Sequence, residues 1–238
     1  MTFLSNIVQF LSEWGPNLLW GLVATLQIAL GGYALGLLIG LGGALGKIYG
    51  GPVTRLFLEI YTTLIRAVPE LVLILLLYYA GTQLLNDTLR GLGYERVDIS
   101  GVAAGVAVLG IVQGAYATEV LRGAMQAIPR GQVEAAQAYG MSAALTFRRI
   151  MLPAMVPLAL PGMANLWLII TKDTALLAVV GFEELAGATR QAAGSTRLYL
   201  EAFVVAGGLY LGLTLASNRF FKWLEGRATL GQAKVGAA

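Results

Sequence analysis

The sequence predicts an all-α integral membrane protein with about five transmembrane helices, its N-terminus outside and its C-terminus inside. Three observations predict this fold class: the composition, the length of the apolar runs, and the basic residues between them. Of the 238 residues, 57% are hydrophobic and 12% are charged. Soluble domains carry about a quarter charged residues, so this chain could not cover its apolar surface in water. We expect one transmembrane domain over residues 1–238, with its core at about 17–225.

Apolar runs long enough to cross a bilayer, about 20 residues each, define the individual spans. The candidates are 17–46, 57–85, 99–123, 157–181 and 198–224. The second run contains Pro69, which interrupts a helical hydrogen-bond ladder, so two shorter pieces remain an alternative to one span. Residues 1–13 have no basic start and no small-residue cleavage site, so a cleavable signal peptide is not expected.

The distribution of Lys and Arg predicts the orientation, because short cytoplasmic loops are enriched in these residues. With the N-terminus outside, ten of them fall inside and four outside. The inner set is Lys47, Arg55, Arg122, Arg130, Arg148, Arg149, Arg219, Lys222, Arg227 and Lys234. The outer set is Arg90, Arg96, Arg190 and Arg197.

Glycines at four-residue spacing predict close helix packing. Gly32, Gly36 and Gly40 share one helix face, and small residues at this spacing let helices approach closely in lipid. The pattern favours packing within one subunit, with pairing between subunits as the alternative.

The long polar gap on the predicted inner side, residues 125–152, predicts two short helices around a glycine. Residues 132–139 are rich in helix formers, and Gly140 suits the position after a helix, where left-handed backbone is favoured. Ser142 can cap a second helix at 143–150. Ala135, Ala136 and Ala138 leave room for another protein to pack against the first helix.

The spaced residues of this gap resemble the EAA loop of importer-type ABC transporter permeases. They are Glu134, Ala135, Ala136, Gly140, Ile150, Leu152 and Pro153. The resemblance implies a type I, MetI-like permease core whose loop seats in a groove of an ATP-binding subunit. It makes Glu134 the charged anchor and residues 143–153 the lever that carries motion into the fourth span.

Segments on either side, 61–71, 117–123, 128–132, 172–176, 180–181 and 184–185, resemble the polar amino acid permeases, above all those for histidine, lysine, arginine, ornithine and opines. Ala67 departs from the glycine that is common there. The resemblance implies import of polar, cationic amino acids across the bacterial inner membrane. The implied partners are two ATPase subunits, a second permease subunit and a periplasmic binding protein. For the second permease subunit, a paralogue is favoured over a second copy.

Placing an ionisable side chain inside an apolar run costs free energy, so such residues are candidates for a functional site. Arg66, Glu70 and Asp173, with the adjacent Thr174, are therefore candidate substrate contacts, and Glu70 follows the expected break at Pro69. The alternative is structural pairing. In that interpretation Arg66 pairs with Glu59 or Glu70, Glu119 pairs with Arg122, and Lys172 pairs with Asp173.

Absent residue types exclude several functions. With no His and no Cys, the sequence lacks imidazole bases, thiol nucleophiles and the commonest zinc ligands. The glycines before Lys47 have the wrong spacing for a phosphate-binding loop, so ATP and Mg²⁺ are expected on the partner. We expect no catalytic residue, cofactor, metal or nucleic acid on this chain. A secondary transporter or channel without an ATPase is the rival hypothesis, and an intramembrane enzyme is a remote one.

Overall fold

The computed structural model describes residues 3–95 and 99–228, and these fold into helices joined by short turns. Arg96 and Lys234, which entered the orientation prediction, lie outside the described residues. In chain order the helices are α1 (Phe3–Tyr49), α2 (Pro52–Ala67), α3 (Glu70–Gly91), α4 (Gly101–Gln126), α5 (Arg130–Ala138), α6 (Ala143–Thr146), α7 (Leu152–Asp173), α8 (Leu185–Thr196) and α9 (Tyr199–Ala228). A π-helical turn, Phe147–Met151, joins α6 to α7, and a 3₁₀ segment, Thr174–Val180, follows α7. The predicted all-α class is confirmed.

Within the described residues, five segments are long and apolar enough to cross a bilayer, as predicted. They are Phe3–Tyr49, Glu70–Gly91, Gly101–Gln126, Ala143–Val180 and Tyr199–Ala228. The first starts well before predicted residue 17, because the helix continues through residues 3–15. That extension buries Phe10 in a cluster with Leu18, with Leu185 of α8 and with Ala202 of α9.

The second span departs from the single run predicted at 57–85. The chain breaks at Val68 and Pro69, so α2 and α3 are separate helices. Val68 is extended, with φ −94° and ψ 140°, because a proline ring disfavours helical backbone in the residue before it. Pro69 also has no N–H to continue the ladder. The structure therefore has the two shorter pieces that the sequence left as an alternative.

Glycines set the close packing of α1 against α4, which forms the centre of the bundle. A Cβ on Gly36 would lie 2.9 Å from the Cβ of Gln113, and one on Gly40 would collide with Ala117. Such contacts are open only to glycine, and they let two helices approach closely in lipid. The glycine stripe packs helices within one chain, which confirms the favoured interpretation.

α7 is fixed on both sides by polar side chains. The Tyr33 hydroxyl of α1 donates to the Met163 carbonyl at 3.0 Å, and the Tyr33 ring meets Trp167 edge-on at 5.4 Å. Trp167 Nε1 donates to Ser217 of α9 at 2.8 Å. These contacts give α7 a defined position between α1 and α9.

Candidate functional site

The break between α2 and α3 places Glu70 at the first position of α3, inside the bundle instead of at its end. Its side chain is half-buried, and the Tyr116 hydroxyl of α4 donates to its Oε1 at 3.4 Å. The N-terminal turn of a helix leaves backbone N–H groups without helical partners and favours negative charge nearby. The break therefore gives an acidic group a stable place within the bundle.

Asp173, the last residue of α7, approaches the same point. Its carboxyl lies near enough to Glu70 for the two groups to interact electrostatically. Glu70, Asp173 and the exposed Arg66 all act electrostatically on Tyr116. We call these four residues the Glu70 cluster; it joins three candidates that the sequence had identified and adds Tyr116, which it had not.

Two of the predicted structural pairs do not form. Among the described residues, ion pairs within 4.0 Å include none from Arg66 and none between Lys172 and Asp173. The helix break removes the four-residue spacing between Arg66 and Glu70, and adjacent helical residues such as Lys172 and Asp173 do not face each other. The third pair is confirmed, since Arg122 Nη2 lies 2.7 Å from Glu119 Oε2.

Thr174 follows Asp173 in the sequence, but its side chain contacts residues outside the Glu70 cluster. Its side chain is fully buried, and its hydroxyl donates to the Thr171 carbonyl at 2.9 Å. It is also within hydrogen-bonding reach of Tyr210 on α9. These contacts favour a packing role for Thr174.

Another acid, Glu184, lies in a segment that resembles the family, but sequence reasoning assigned it no functional role. Its side chain is fully buried and caps α8 by accepting from the backbone N–H groups of Ala186 at 2.9 Å and Gly187 at 2.7 Å. Hydroxyls of Thr25 and Tyr210 also donate to it. The neighbouring Glu183 is exposed, and no spacing signal in one sequence separates the two glutamates.

The predicted coupling loop protrudes as α5, a turn and α6. Glu134 and Ala135 are exposed on α5. Gly140 has φ +75°, the left-handed conformation predicted after a helix end. Ser142 accepts from the N–H of Leu145 at 3.4 Å, so the predicted cap is present.

The sequence had suggested that Ala136 leaves room for another protein to pack, but Ala136 does not offer such a surface. It is 4% exposed, because one face of α5 packs back on α6 and the π-helical turn. Ala135 and Ala138, on the other face, stay exposed. The open face of α5 therefore carries Glu134 and two small residues.

The remaining loop residues lie where the loop passes into the membrane helix. Ile150 is half-buried in the π-helical turn, and Leu152 and Pro153 are exposed at the start of α7. Pro153 does not interrupt the chain here, since the first turn of a helix tolerates proline. The loop and the fourth span form one helical segment, Ala143–Val180.

A bundle of apolar helices with ionisable groups gathered at a helix break is typical of solute-transporting membrane proteins. The chain belongs to the family of binding-protein-dependent transport system inner membrane components, whose model matches residues 32–230. Members of this family are transport subunits, and the chain is a multi-pass membrane protein.

Two curated relatives cover nearly the whole chain. The histidine/lysine/arginine/ornithine transport system permease protein HisQ of Salmonella typhimurium is 45% identical over 214 residues, 90% of this chain and 94% of the relative. The octopine transport system permease protein OccQ of Agrobacterium tumefaciens is 36% identical over 219 residues, 92% of each. The predicted resemblance to amino acid and opine permeases is confirmed.

Solved structures show the same fold. An amino acid ABC transporter crystallised with histidines matches with a TM-score of 0.78 and 29% identity, over 95% of this chain and 99% of that chain. The MetNI methionine ABC transporter in an inward-facing conformation matches with a TM-score of 0.65 over 88% and 94%. At 17% identity the second likeness concerns the fold alone, and it agrees with the predicted MetI-like core.

Proposed function

We propose that this chain is the permease subunit of an ATP-driven importer for cationic polar amino acids: histidine, lysine, arginine, ornithine or opines. The observation that carries the proposal is the proximity of Glu70 and Asp173, two acidic groups that interact electrostatically beside a helix break. Discontinuous membrane helices form the substrate sites of many transporters. The relatives named for histidine, lysine, arginine and ornithine, and for octopine, support the substrate class.

The chemistry of the Glu70 cluster suits an amino acid with a positive side chain. Two carboxyl groups side by side repel each other when both are ionised, so an ammonium or guanidinium group between them would be favoured. Arg66, exposed and without an ion pair among the described residues, can meet the carboxylate of the same substrate. The Tyr116 hydroxyl donates to Glu70 and limits the positions that this carboxylate takes.

Energy would come from a partner. In this proposal α5 seats in a groove on one of two ATPase subunits, with Glu134 as anchor and Ala135 and Gly140 allowing close fit. ATP and Mg²⁺ bind on those subunits, and this chain does no catalysis. A binding protein delivers the amino acid, and a second permease subunit, a paralogue in preference to a copy, completes the pathway.

The proposal also includes the orientation and location. The N-terminus faces outward, the C-terminus and α5 face the cytoplasm, and the whole chain forms one permease domain in the bacterial inner membrane. The family description as an inner membrane component supports this placement, as does the excess of Lys and Arg on the inner side.

The test is uptake of labelled arginine by the assembled transporter in proteoliposomes, with wild type compared with Glu70→Gln. Loss of a charged contact is expected to raise the apparent KM by about tenfold or more. Asp87→Asn is the matched control, because Asp87 is an exposed acid near the far end of the same helix. An unchanged KM in Glu70→Gln would overturn the substrate contact.

A second measurement distinguishes the ATP-driven importer from the rival hypothesis, a secondary transporter. Affinity purification of the tagged chain is expected to bring down a nucleotide-binding subunit, and uptake is expected to stop when ATP is withdrawn. Uptake that follows an ion gradient without ATP, with no ATPase in the purified complex, would favour the secondary transporter.

A further inference from the structure

Lys47, near the inner end of α1, is a buried cation whose partners all lie on other helices. Its side chain is 6% exposed. Its ammonium nitrogen lies 2.6 Å from Glu59 Oε2 and 2.7 Å from Thr62 Oγ1, both on α2. It also lies 2.7 Å from Glu119 Oε1 on α4. An ammonium group has three hydrogens, so this lysine is fully used as a link between three helices.

Glycines on α1 create the space in which Lys47 is enclosed. A Cβ on Gly43 would collide with Thr118 of α4, and one on Gly46 would lie 2.6 Å from Leu58 of α2. Close approach on both sides brings α2 and α4 within reach of one lysine side chain. The glycine-rich sequence before Lys47, which fails as a phosphate-binding loop, has this packing role instead.

From Lys47 the contacts continue to the end of α4. Glu119 accepts from Arg122 at 2.7 Å through its second oxygen, and Arg122 donates to Gln126 at 3.1 Å. Gln126 is the last residue of α4, and α5 begins at Arg130. The polar contacts thus lead from Lys47 to the helix that the proposed function assigns to the ATPase interface.

In the other direction the contacts lead to the Glu70 cluster. Glu59 and Thr62 lie on α2, which ends at Ala67 immediately before the break at Val68 and Pro69. A shift of α2 therefore changes the position of the break and of Glu70 beyond it. Lys47 lies between the end of α4 and the helix that leads to the candidate substrate site.

We propose that Lys47 is a positioning residue for transport: it ties α2 to the inner end of α4, so that motion entering through α5 moves the broken helix. This inference rests on the proposed function. Two cations, Lys47 and Arg122, balance two anions, Glu59 and Glu119, and the ammonium group is withdrawn from solvent. A partly buried, balanced group of this kind holds one geometry better than an exposed ion pair does.

The inference predicts uncoupling without loss of substrate affinity. In proteoliposomes containing the whole transporter, Lys47→Met is expected to lower labelled arginine uptake per ATP hydrolysed by about tenfold, within the range of coupling between distant sites. The apparent KM for arginine is expected to stay within twofold, and Lys47→Arg is expected to restore part of the ratio. A merely structural lysine would lower uptake and hydrolysis together and leave their ratio unchanged.

Arg55→Met is the matched control, because Arg55 is an exposed cation nearby whose one side-chain hydrogen bond among residues 3–95 and 99–228 goes to the Ile48 carbonyl, at 3.0 Å. Its ratio of uptake to hydrolysis should equal that of wild type. If Lys47→Met does not assemble, Glu59→Gln and Thr62→Val remove single contacts while Lys47 keeps the others. An unchanged ratio in both milder variants would overturn the inference. Failure of ATP-driven uptake in wild type would instead overturn the proposed function.

Discussion

Glu184 shows how one residue holds three helices, α1, α8 and α9, together. Its carboxyl accepts from two backbone N–H groups at the start of α8 and from hydroxyls on α1 and α9. Burial raises the pKa of Glu184 above its ordinary value of 4.5, while the amides of Ala186 and Gly187 oppose the shift. The residue therefore joins three helices at the cost of withdrawing an acid from water.

The raised pKa predicts a pH dependence. A carboxyl with a raised folded-state pKa stabilises the fold fully below its unfolded pKa, near 4.5, and that contribution is lost as pH rises through the folded-state value. The apparent melting temperature of the wild type should fall over this interval. Glu184→Gln should lack this decrease and lose about 1–3 kcal/mol overall, because its NH₂ group cannot accept from the α8 amides. Thermal scans across pH test this, with the exposed Glu183→Gln expected to follow wild type.

Substitutions of two adjacent alanines of α5 are expected to have different effects, one on stability and the other on binding of the proposed ATPase subunit. Ala136 is enclosed by its own chain, so Ala136→Leu should cost about 1–3 kcal/mol of stability through overpacking. Ala135 is exposed, so Ala135→Leu should keep the melting temperature and weaken capture of the ATPase subunit. Melting curves and co-purification, measured on both variants, check the pair. Equal effects in the two assays would contradict the orientation of α5.

At the scale of elements, the break between α2 and α3 decides where the acidic groups lie. Pro69→Ala supplies the missing N–H and removes the steric restriction on Val68, so the two helices should join and Glu70 should move from Tyr116. Uptake is expected to fall by at least about tenfold, since small misplacements of a site are costly. Pro69→Gly, which does not favour helix, should retain more uptake. Full uptake by Pro69→Ala would show that the break is dispensable.

Some elements of the fold follow from the sequence and others do not, for physical reasons. Span number follows from apolar length, and the break follows from the geometry of Pro69. α8 escaped prediction because its sequence is short and polar, and contacts with α1, α9 and the 3₁₀ segment bury it. The proximity of Glu70 to Asp173 could not be predicted either, because it depends on how α3 packs against the 3₁₀ segment that follows α7.

At the scale of the whole molecule, the orientation remains a prediction with a direct test. The sequence has no cysteine, so single cysteines can be placed without background. Tyr139→Cys, on an 88% exposed side chain beside the coupling loop, should react with an impermeant maleimide only after the membrane is opened. Gln191→Cys, exposed on α8, should react in intact spheroplasts. The reverse pattern would invert the proposed topology.

The helical segment from Ala143 to Val180 runs from the coupling loop past Asp173. Its length sets how far Asp173 moves when the loop end tilts. Residues 143 and 173 are separated by about 45 Å of helix, so tilting this helix by about 5° about its inner end displaces the Asp173 carboxyl by about 4 Å. That displacement exceeds the length of a hydrogen bond. If α5 receives motion from an ATPase as proposed, a movement too small to unseat α5 would separate Asp173 from Glu70 and change the affinity of the proposed site for a cation.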